Sequence, residues 1–519
     1  MVHFARLLLC FAMIILSLPC RSQDENVLQK TVRLDDSYST IYQQLKKITK
    51  QTGVKFVYDS EFIDDNERVQ TRSNVYSVED AVRAIIAKND LGIRMVGKHL
   101  LLFRQEHHLL HTKIKTITVK TEKGDSMKVI DISGRLIDHL TQQPIEYAAI
   151  GLKEAAIGTI TNQNGEFRLT IPDSLNHKSI FFSHIGYLSK KMAISEMADR
   201  NTEVALEPKV FPLQEVVVRV VNPSRLLMQM QENIQRNYPQ KPTYLTTFYR
   251  EGVQKDNDIV NYTEAVFKIY KASYGSNSAD LVKLLQMRQT SNTQVKDTVV
   301  TRMKAGINAC ILLDLIKNMP DFITPLSENI YRFTSADITE IDGRLVNVIQ
   351  FEPREGAVPL VYSGQLFIDT ESGALLRASF SIPPSYVKAS SSMLVEKKSH
   401  SLIVTPHEVK YMVSYRNWNG RYYISHIRGE LNFRIRKRMR MFSGFDMKTW
   451  FEMATCKIDT VNVTRFTRNE ILPTRTIFSQ TRYNYDEAFW GEHNVIIPEE
   501  NLTEALRKIQ SRIEETEGR

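Results

Sequence analysis

Gly158-Thr-Ile-Thr-Asn-Gln-Asn-Gly165-Glu-Phe-Arg-Leu-Thr-Ile171 is the stretch from which the rest of the chain can be read. Residues 159–161 and 167–171 are rich in β-branched and aromatic side chains, and Asn162-Gln-Asn-Gly165 between them is a turn signal. That spacing predicts a β-hairpin. Outward from it, further short strands are expected at 129–137, 145–152, 179–185, 190–194 and 203–206, punctuated by Gly134, Pro144, Gly165, Pro172 and Gly186. Short strands at such close spacing predict a β-sandwich over residues 129–208.

Four landmarks fall in a particular order here: Gly134, Pro144-Ile145, Gly158-Thr159 to Gly165-Glu-Phe167, and His184-Ile-Gly-Tyr187. On these residues the segment resembles the carboxypeptidase regulatory-like domain. The resemblance implies a sandwich fold and an address in the gram-negative envelope, and it names no ligand. It implies no peptidase activity either. Zinc hydrolases hold their metal with His and Glu at short fixed spacing, and the chain has no His-x-x-Glu or His-Glu-x-x-His. It also lacks a Gly-x-Ser-x-Gly elbow, a Gly-Lys-Ser/Thr loop, a Gly-x-Gly-x-x-Gly run and a Cys-x-x-Cys pair. No catalytic residue, cofactor or metal is therefore expected.

The 519 residues leave room for about three or four domains. At the N-terminus Arg6 precedes an apolar run, 7–18, followed by Pro19-Cys-Arg-Ser22. A run of about a dozen residues is too short to cross a bilayer and fits a secretory signal peptide over residues 1–22. The alternative, a lipoprotein anchored through Cys20, sets Pro19 where a lipobox does not favour it. Removal of residues 1–22 leaves Cys310 and Cys456, each in an apolar context, so a bridge and two buried thiols are both open. It also lowers the formal charge of +9 by two, a mild basic excess that suits acidic surfaces. An exported protein is not expected to meet nucleic acid.

Residues 23–105 read as two successive strand-helix units. Strands are expected at 31–34, 55–58 and 67–71, helices at 39–50 and 78–88, and a closing strand pair at 93–96 and 100–103. Gly53 sits where the first helix would stop, and Ser77-Val-Glu-Asp80 is a usable cap for the second. The residues 39–45, Thr52-Gly-Val-Lys-Phe-Val-Tyr58, 77–86, Leu91-Gly-Ile93 and Leu100-Leu-Leu-Phe103 resemble the secretin and TonB short N-terminal domain. That resemblance implies a module that binds other envelope proteins and does no chemistry. Residues 106–128, polar and basic with His107, His108 and His111, are read as a linker.

After a connecting strand at 209–224, the transporters that share this sandwich would continue into a plug and barrel. Here Pro223-Ser224 opens a helix over 225–238 instead. The region 225–519 is expected to be a mixed domain with a long antiparallel meander, helices near 279–289, 304–318 and 502–513, and hairpin turns at Asp342-Gly343, Glu371-Ser-Gly373 and Asn419-Gly420. Gly364-Gln-Leu-Phe-Ile-Asp369 to Arg377 resembles a hairpin of the open half-barrel found in lipoprotein carriers. Strand alternation over 430–440 would set Arg434, Arg436, Arg438 and Arg440 on one face, a candidate contact for an anionic surface. Paired and solvated charges on an outer face are the plainer explanation.

The fold expected is thus multi-domain α+β: a small α+β domain, a β-sandwich, and a large mixed domain compatible with an open half-barrel. The function expected is that of a non-enzymatic adaptor in the periplasm or at the outer membrane. Its expected partners are envelope proteins, such as an anti-sigma regulator or an outer-membrane complex, and an anionic lipid or a glycan. Two alternatives stand beside it: a carrier sheltering an acyl chain in the half-barrel, and a hydrolase acting on glycans or peptides.

Overall fold

The structure, a computed structural model, describes residues 27–473 and 496–497, apart from 59–62, 89–90, 97–98, 105–112, 121–125, 153, 199–202, 210–221, 257, 292–301, 304–305, 325–326, 358–360, 398–401 and 439–443. It divides into two compact units, 1–109 and 110–519. Helix 502–513, strand 210–221 and the histidines 107, 108 and 111 lie outside the described residues.

The first unit holds β1 (Thr31–Leu34), β2 (Ser37–Thr40), β3 (Lys55–Tyr58), β4 (Arg68–Thr71), β5 (Asn74–Ser77), β6 (Leu91–Val96) and β7 (His99–Arg104). Helix Ile41–Thr52 starts at Thr40, whose hydroxyl accepts from Gln43 N, and stops at Gly53, which takes a φ of 75° and donates to Thr49 O. Ser77 caps the helix Val78–Ile85 in the same way. The apolar faces of both helices close over Val32, Leu34, Leu100 and Leu102 in a core belonging to this unit.

In the second unit the first strand is a correction. Residues 113–120, expected within the linker, form β8 (Lys113–Lys120), which pairs with β9 (Ser126–Asp138) from Ser133 back to Ser126. Six further strands complete the sandwich: β10 (Ala149–Leu152), β11 (Ile157–Ile160), β12 (Glu166–Pro172), β13 (Ser179–Ser183), β14 (Lys190–Ala193) and β15 (Val204–Leu206). One sheet runs β12-β9-β15 with β8 also on β9, and the other sets β10 between β11 and β13.

The turn at Asn162–Gly165 is present: Gly165 donates to Asn162 O at φ 73°, and Asn162 Oδ1 accepts from Asn164 N and Glu166 N. The expected hairpin is not. β11 pairs with β10 and β12 with β9, so the turn carries the chain from one sheet to the other. Thr161 directs this crossing, because its buried hydroxyl donates to Ile145 O (2.6 Å) and accepts from Ala148 N (2.8 Å). Phe167 and Phe182, one from each sheet, meet edge to face between them.

The C-terminal region supplies β16 (Thr243–Lys255), β17 (Asp258–Lys271), β18 (Leu281–Ser291), β19 (Arg302–Met303), β20 (Tyr331–Ile341), β21 (Arg344–Pro353), β22 (Ser363–Asp369), β23 (Leu375–Ser381), β24 (Val395–Lys397), β25 (Leu402–Trp418), β26 (Arg421–Lys437) and β27 (Gly444–Asp459). β19 and β24 pair apart; the other ten form one antiparallel sheet, β18-β17-β16-β27-β26-β25-β23-β22-β21-β20, curled as an open half-barrel. Asp342-Gly343 and Asn419-Gly420 turn their hairpins with positive φ at both positions, the geometry that matches strand twist.

In place of the helix expected near 279–289 stands the strand β18. Opposite Val266/Phe267 the register shifts so that Leu285 is an extra residue, and the buried positions become Val282 and Met287. A bulge thereby breaks strand alternation into a spacing that imitates a helix. The helix expected at 304–318 shortens to Ile307–Leu312, and that at 225–238 divides into Pro223–Glu232 and Ile234–Asn237. These helices fill one face of the sheet. Leu227 and Met230 pack there, and Phe322 stacks on Phe351 at 4.7 Å with its ring parallel. Cys310 and Cys456 are both buried free thiols, so the bridge is not formed.

The sandwich and the half-barrel share strand edges. β27 pairs with β26 from Gly444 to Ala454, after which β11 takes over through Ile157 opposite Lys457, with Ile458 N donating to Ala156 O. A sheet of fourteen strands therefore runs through both.

Candidate functional site

The seam between sandwich and half-barrel carries a cluster of buried charged side chains. Arg250, Glu452 and Arg428 are directly opposite one another on β16, β27 and β26. Arg250 Nε meets Glu452 Oε2 at 2.7 Å with both side chains fully buried, His426 Nε2 meets Oε1 at 2.7 Å, and Arg428 Nη1 lies 3.6 Å from Oε2. Burial alone would raise the Glu452 carboxyl. Arg250, the His426 hydrogen bond and Arg428 outweigh it and hold the group well below the usual carboxylate range.

Tyr147 of the sandwich, held at a φ of 53°, stacks on His426 at 5.5 Å and lies under the Arg428 guanidinium at 5.0 Å. Asn162 Nδ2 and Arg250 Nη1 both donate to Ile497 O, so the far C-terminal chain is fastened across the same place.

Beside this cluster lies a cavity of ≈ 100 Å³ walled from both sides, by Ile157, Gly158 and Ile185 of the sandwich and by Leu376, Trp418 and Ile458 of the large region. Arg377, Arg416, His184, His426 and Asp342 also line it. Arg416 enters through a gap made by two glycines. Gly151 and Gly158 are register partners, and a Cβ on either would come within 3.1 Å of Arg416 Nη1.

Arg416 Nη2, Trp418 Nε1 and Asp342 Oδ1 are buried and find no hydrogen-bond partner among the described residues. Arg377 donates to the sulfur of Met412, a weak acceptor, and burial pulls its guanidinium down to about 10. Burial, then the charge of Arg377, lowers the His184 imidazole to about 4, so it is neutral near pH 7.

The arrangement can bind, and three of the hydroxyls that line it are already engaged. His426 with Glu452 has the form of a base and its orienting carboxylate. However, Ser425 Oγ donates to Ser414 O (3.0 Å) and Thr455 Oγ1 to Ile424 O (2.7 Å), while Tyr147 OH accepts from Gln163. Among the described residues no group of three or more His, Cys, Asp or Glu could hold a metal.

The arginine face expected at 434–440 is placed in part. Arg434 and Arg436 are on β26 around the buried Ile435, and Arg434 pairs with Asp446 at 3.0 Å. The strand ends at Lys437, Arg438 is in a turn, and Arg440 lies outside the described residues. Sequence reading passed over Arg377, Arg416 and the Glu452 cluster. For Arg377 and Glu452 the signal was a charged residue within an otherwise apolar strand, Leu375-Leu-Arg-Ala378 and Trp450-Phe-Glu-Met453.

No curated protein matches the chain. A structure described as an outer membrane lipoprotein-sorting protein domain from Vibrio parahaemolyticus aligns over 47% of this chain and 95% of its own, at 9% identity and a TM-score of 0.21. A DUF1329 family protein from Desulfovibrio piger aligns over 47% and 96%, at 8% identity and a TM-score of 0.20. Among the described residues no helix is long and apolar enough to cross a membrane. Residues 132–218 match the family model of the CarboxypepD_reg-like domain, which supports the regulatory-like reading of the sandwich that brings Gly151, Gly158 and His184 to the seam.

Proposed function

We propose that the protein is a non-catalytic binding protein of the gram-negative envelope, an adaptor that takes a small ligand where its regulatory-like sandwich meets its half-barrel. The cavity carries this reading: both parts wall it, and its buried donors and acceptor find no partner in the described chain. Small-molecule sites combine mostly apolar walls with a few such polar groups. The engaged hydroxyls of Ser425 and Thr455 weigh against a hydrolase. The secretory character of residues 1–22 supports export.

In this reading the N-terminal unit, whose sequence resembles a secretin and TonB short N-terminal domain, docks a partner protein of the envelope. Tyr38, Tyr42 and Val75 are exposed on it and offer apolar contact area. Affinity capture from envelope extract with residues 23–105 and with the whole chain tests the docking role, since this unit has a core of its own. The same partner is expected with both baits. Capture by the whole chain alone would move docking out of the N-terminal unit.

A further inference from the structure

The geometry points to a small organic anion with an apolar body and one hydrogen-bond donor, a hydroxy- or amino-carboxylate of net charge −1, as the ligand of the seam cavity, its carboxylate held by Arg377 and Arg416. This deepens the reading of the seam as a ligand site and rests on it.

Arg377 on β23 stands opposite Ser414 on β25, and Arg416 lies two residues further along β25, so both guanidinium groups reach one end of the sheet and line one cavity. The Arg416 fork is fixed on the Gly151/Gly158 pair while its Nη2 stays buried without an acceptor. A buried donor left unpaired costs free energy that an incoming anion removes, and a planar fork favours a carboxylate.

Trp418 Nε1 offers a further donor, and Asp342 Oδ1 an acceptor that asks for an O–H or N–H from the ligand. Two arginines against one aspartate leave an excess of one positive charge, since burial lowers both His184 and His426 and leaves them neutral near pH 7. Ile157, Ile185, Leu376 and Ile458 line the rest and suit hydrocarbon. The cavity of ≈ 100 Å³ is partly open, so it encloses the carboxylate end and the first carbons of a short chain, whose remainder runs along the apolar wall.

Calorimetric titration of the full-length protein with 2-hydroxyhexanoate, hexanoate, hexan-1-ol and inorganic phosphate tests the assignment. 2-Hydroxyhexanoate is expected to bind best, hexanoate several-fold more weakly, and hexan-1-ol and phosphate at least about tenfold more weakly, as loss of a charged hydrogen bond or of the buried body requires. Arg416→Met and Arg377→Met should each lower 2-hydroxyhexanoate affinity about tenfold or more. Trp418→Phe, which removes the Nε1 donor and keeps an aromatic ring, should lower it a few-fold and carries the test if an arginine variant does not fold.

Hexan-1-ol binding as tightly as hexanoate, or Arg416→Met or Trp418→Phe binding like the parent, would overturn the anion assignment while leaving the seam a ligand site. Phosphate binding as tightly as 2-hydroxyhexanoate would remove the apolar body. No binding by any of the four at millimolar concentration would overturn both this inference and the seam as a small-ligand site.

Discussion

Two groups of arginines in the same sheet are built on opposite plans. Around Glu452, Arg250 and Arg428 come from the two neighbouring strands with His426 beside them, and all of them converge on one carboxylate. In the cavity, Arg377 reaches a thioether and Arg416 leaves a buried nitrogen unmatched. Charges that satisfy one another inside a protein hold it in one arrangement, whereas a buried donor without an acceptor is costly unless something from outside completes it. The first group fixes how the sandwich sits on the sheet. The second is where the finished fold still has chemistry to offer.

Three measurements would break or sharpen that contrast. The largest effect is expected for Glu452→Ala, which strands the fully buried Arg250 without its anion and leaves Arg428 with Glu430 alone; unfolding in urea should show a loss of about 3–5 kcal/mol. A loss below about 1 kcal/mol would mean that the cluster does not organise the seam.

Next comes acid. The His184 imidazole falls from 6.5 to about 4 on folding, so the unfolded chain binds the extra proton between those values. Its contribution is complete above pH 6.5 and is lost as pH falls toward 4, on the order of 1–2 kcal/mol by pH 5. Comparing urea midpoints at pH 7.5 and pH 5 for the parent and for His184→Phe isolates this step, which the variant should lack. The smallest effect is expected for Arg416→Met, which removes an unmatched charge: stability within about 1 kcal/mol of the parent, in either direction, by the same unfolding assay. A loss as large as that of Glu452→Ala would show that Arg416 belongs to the structural group after all.

Much of the architecture was legible in the chain, and the misreadings have identifiable causes. Thr40, Gly53 and Ser77 announced helix ends because capping is local, and Asp342-Gly343 and Asn419-Gly420 announced hairpins because the turn itself demands positive φ. The turn at Asn162–Gly165 was equally visible, but which strands it joins depends on Thr161 reaching Ile145 and Ala148, a contact across sixteen residues in the first case. Leu285 misled through the bulge it creates.

For the site, Gly158 stood out as a landmark while its purpose did not. The guanidinium that occupies its missing side chain comes from Arg416, more than two hundred positions away. Arg434 and Arg436 drew notice because they crowd together in sequence, which says little about whether a charge is matched in space.

The passage of β27 from β26 to β11 has a practical corollary for anyone dividing this molecule. Cutting the chain between sandwich and meander would leave the last rungs of β27, from Thr455 to Asp459, without the neighbour at Ile157, next to the apolar surface of Ile160 and Phe248. Bare strand margins of that kind recruit other chains. A meander expressed alone should therefore self-associate, and the sensible excision point is upstream of Lys113, where β8 begins.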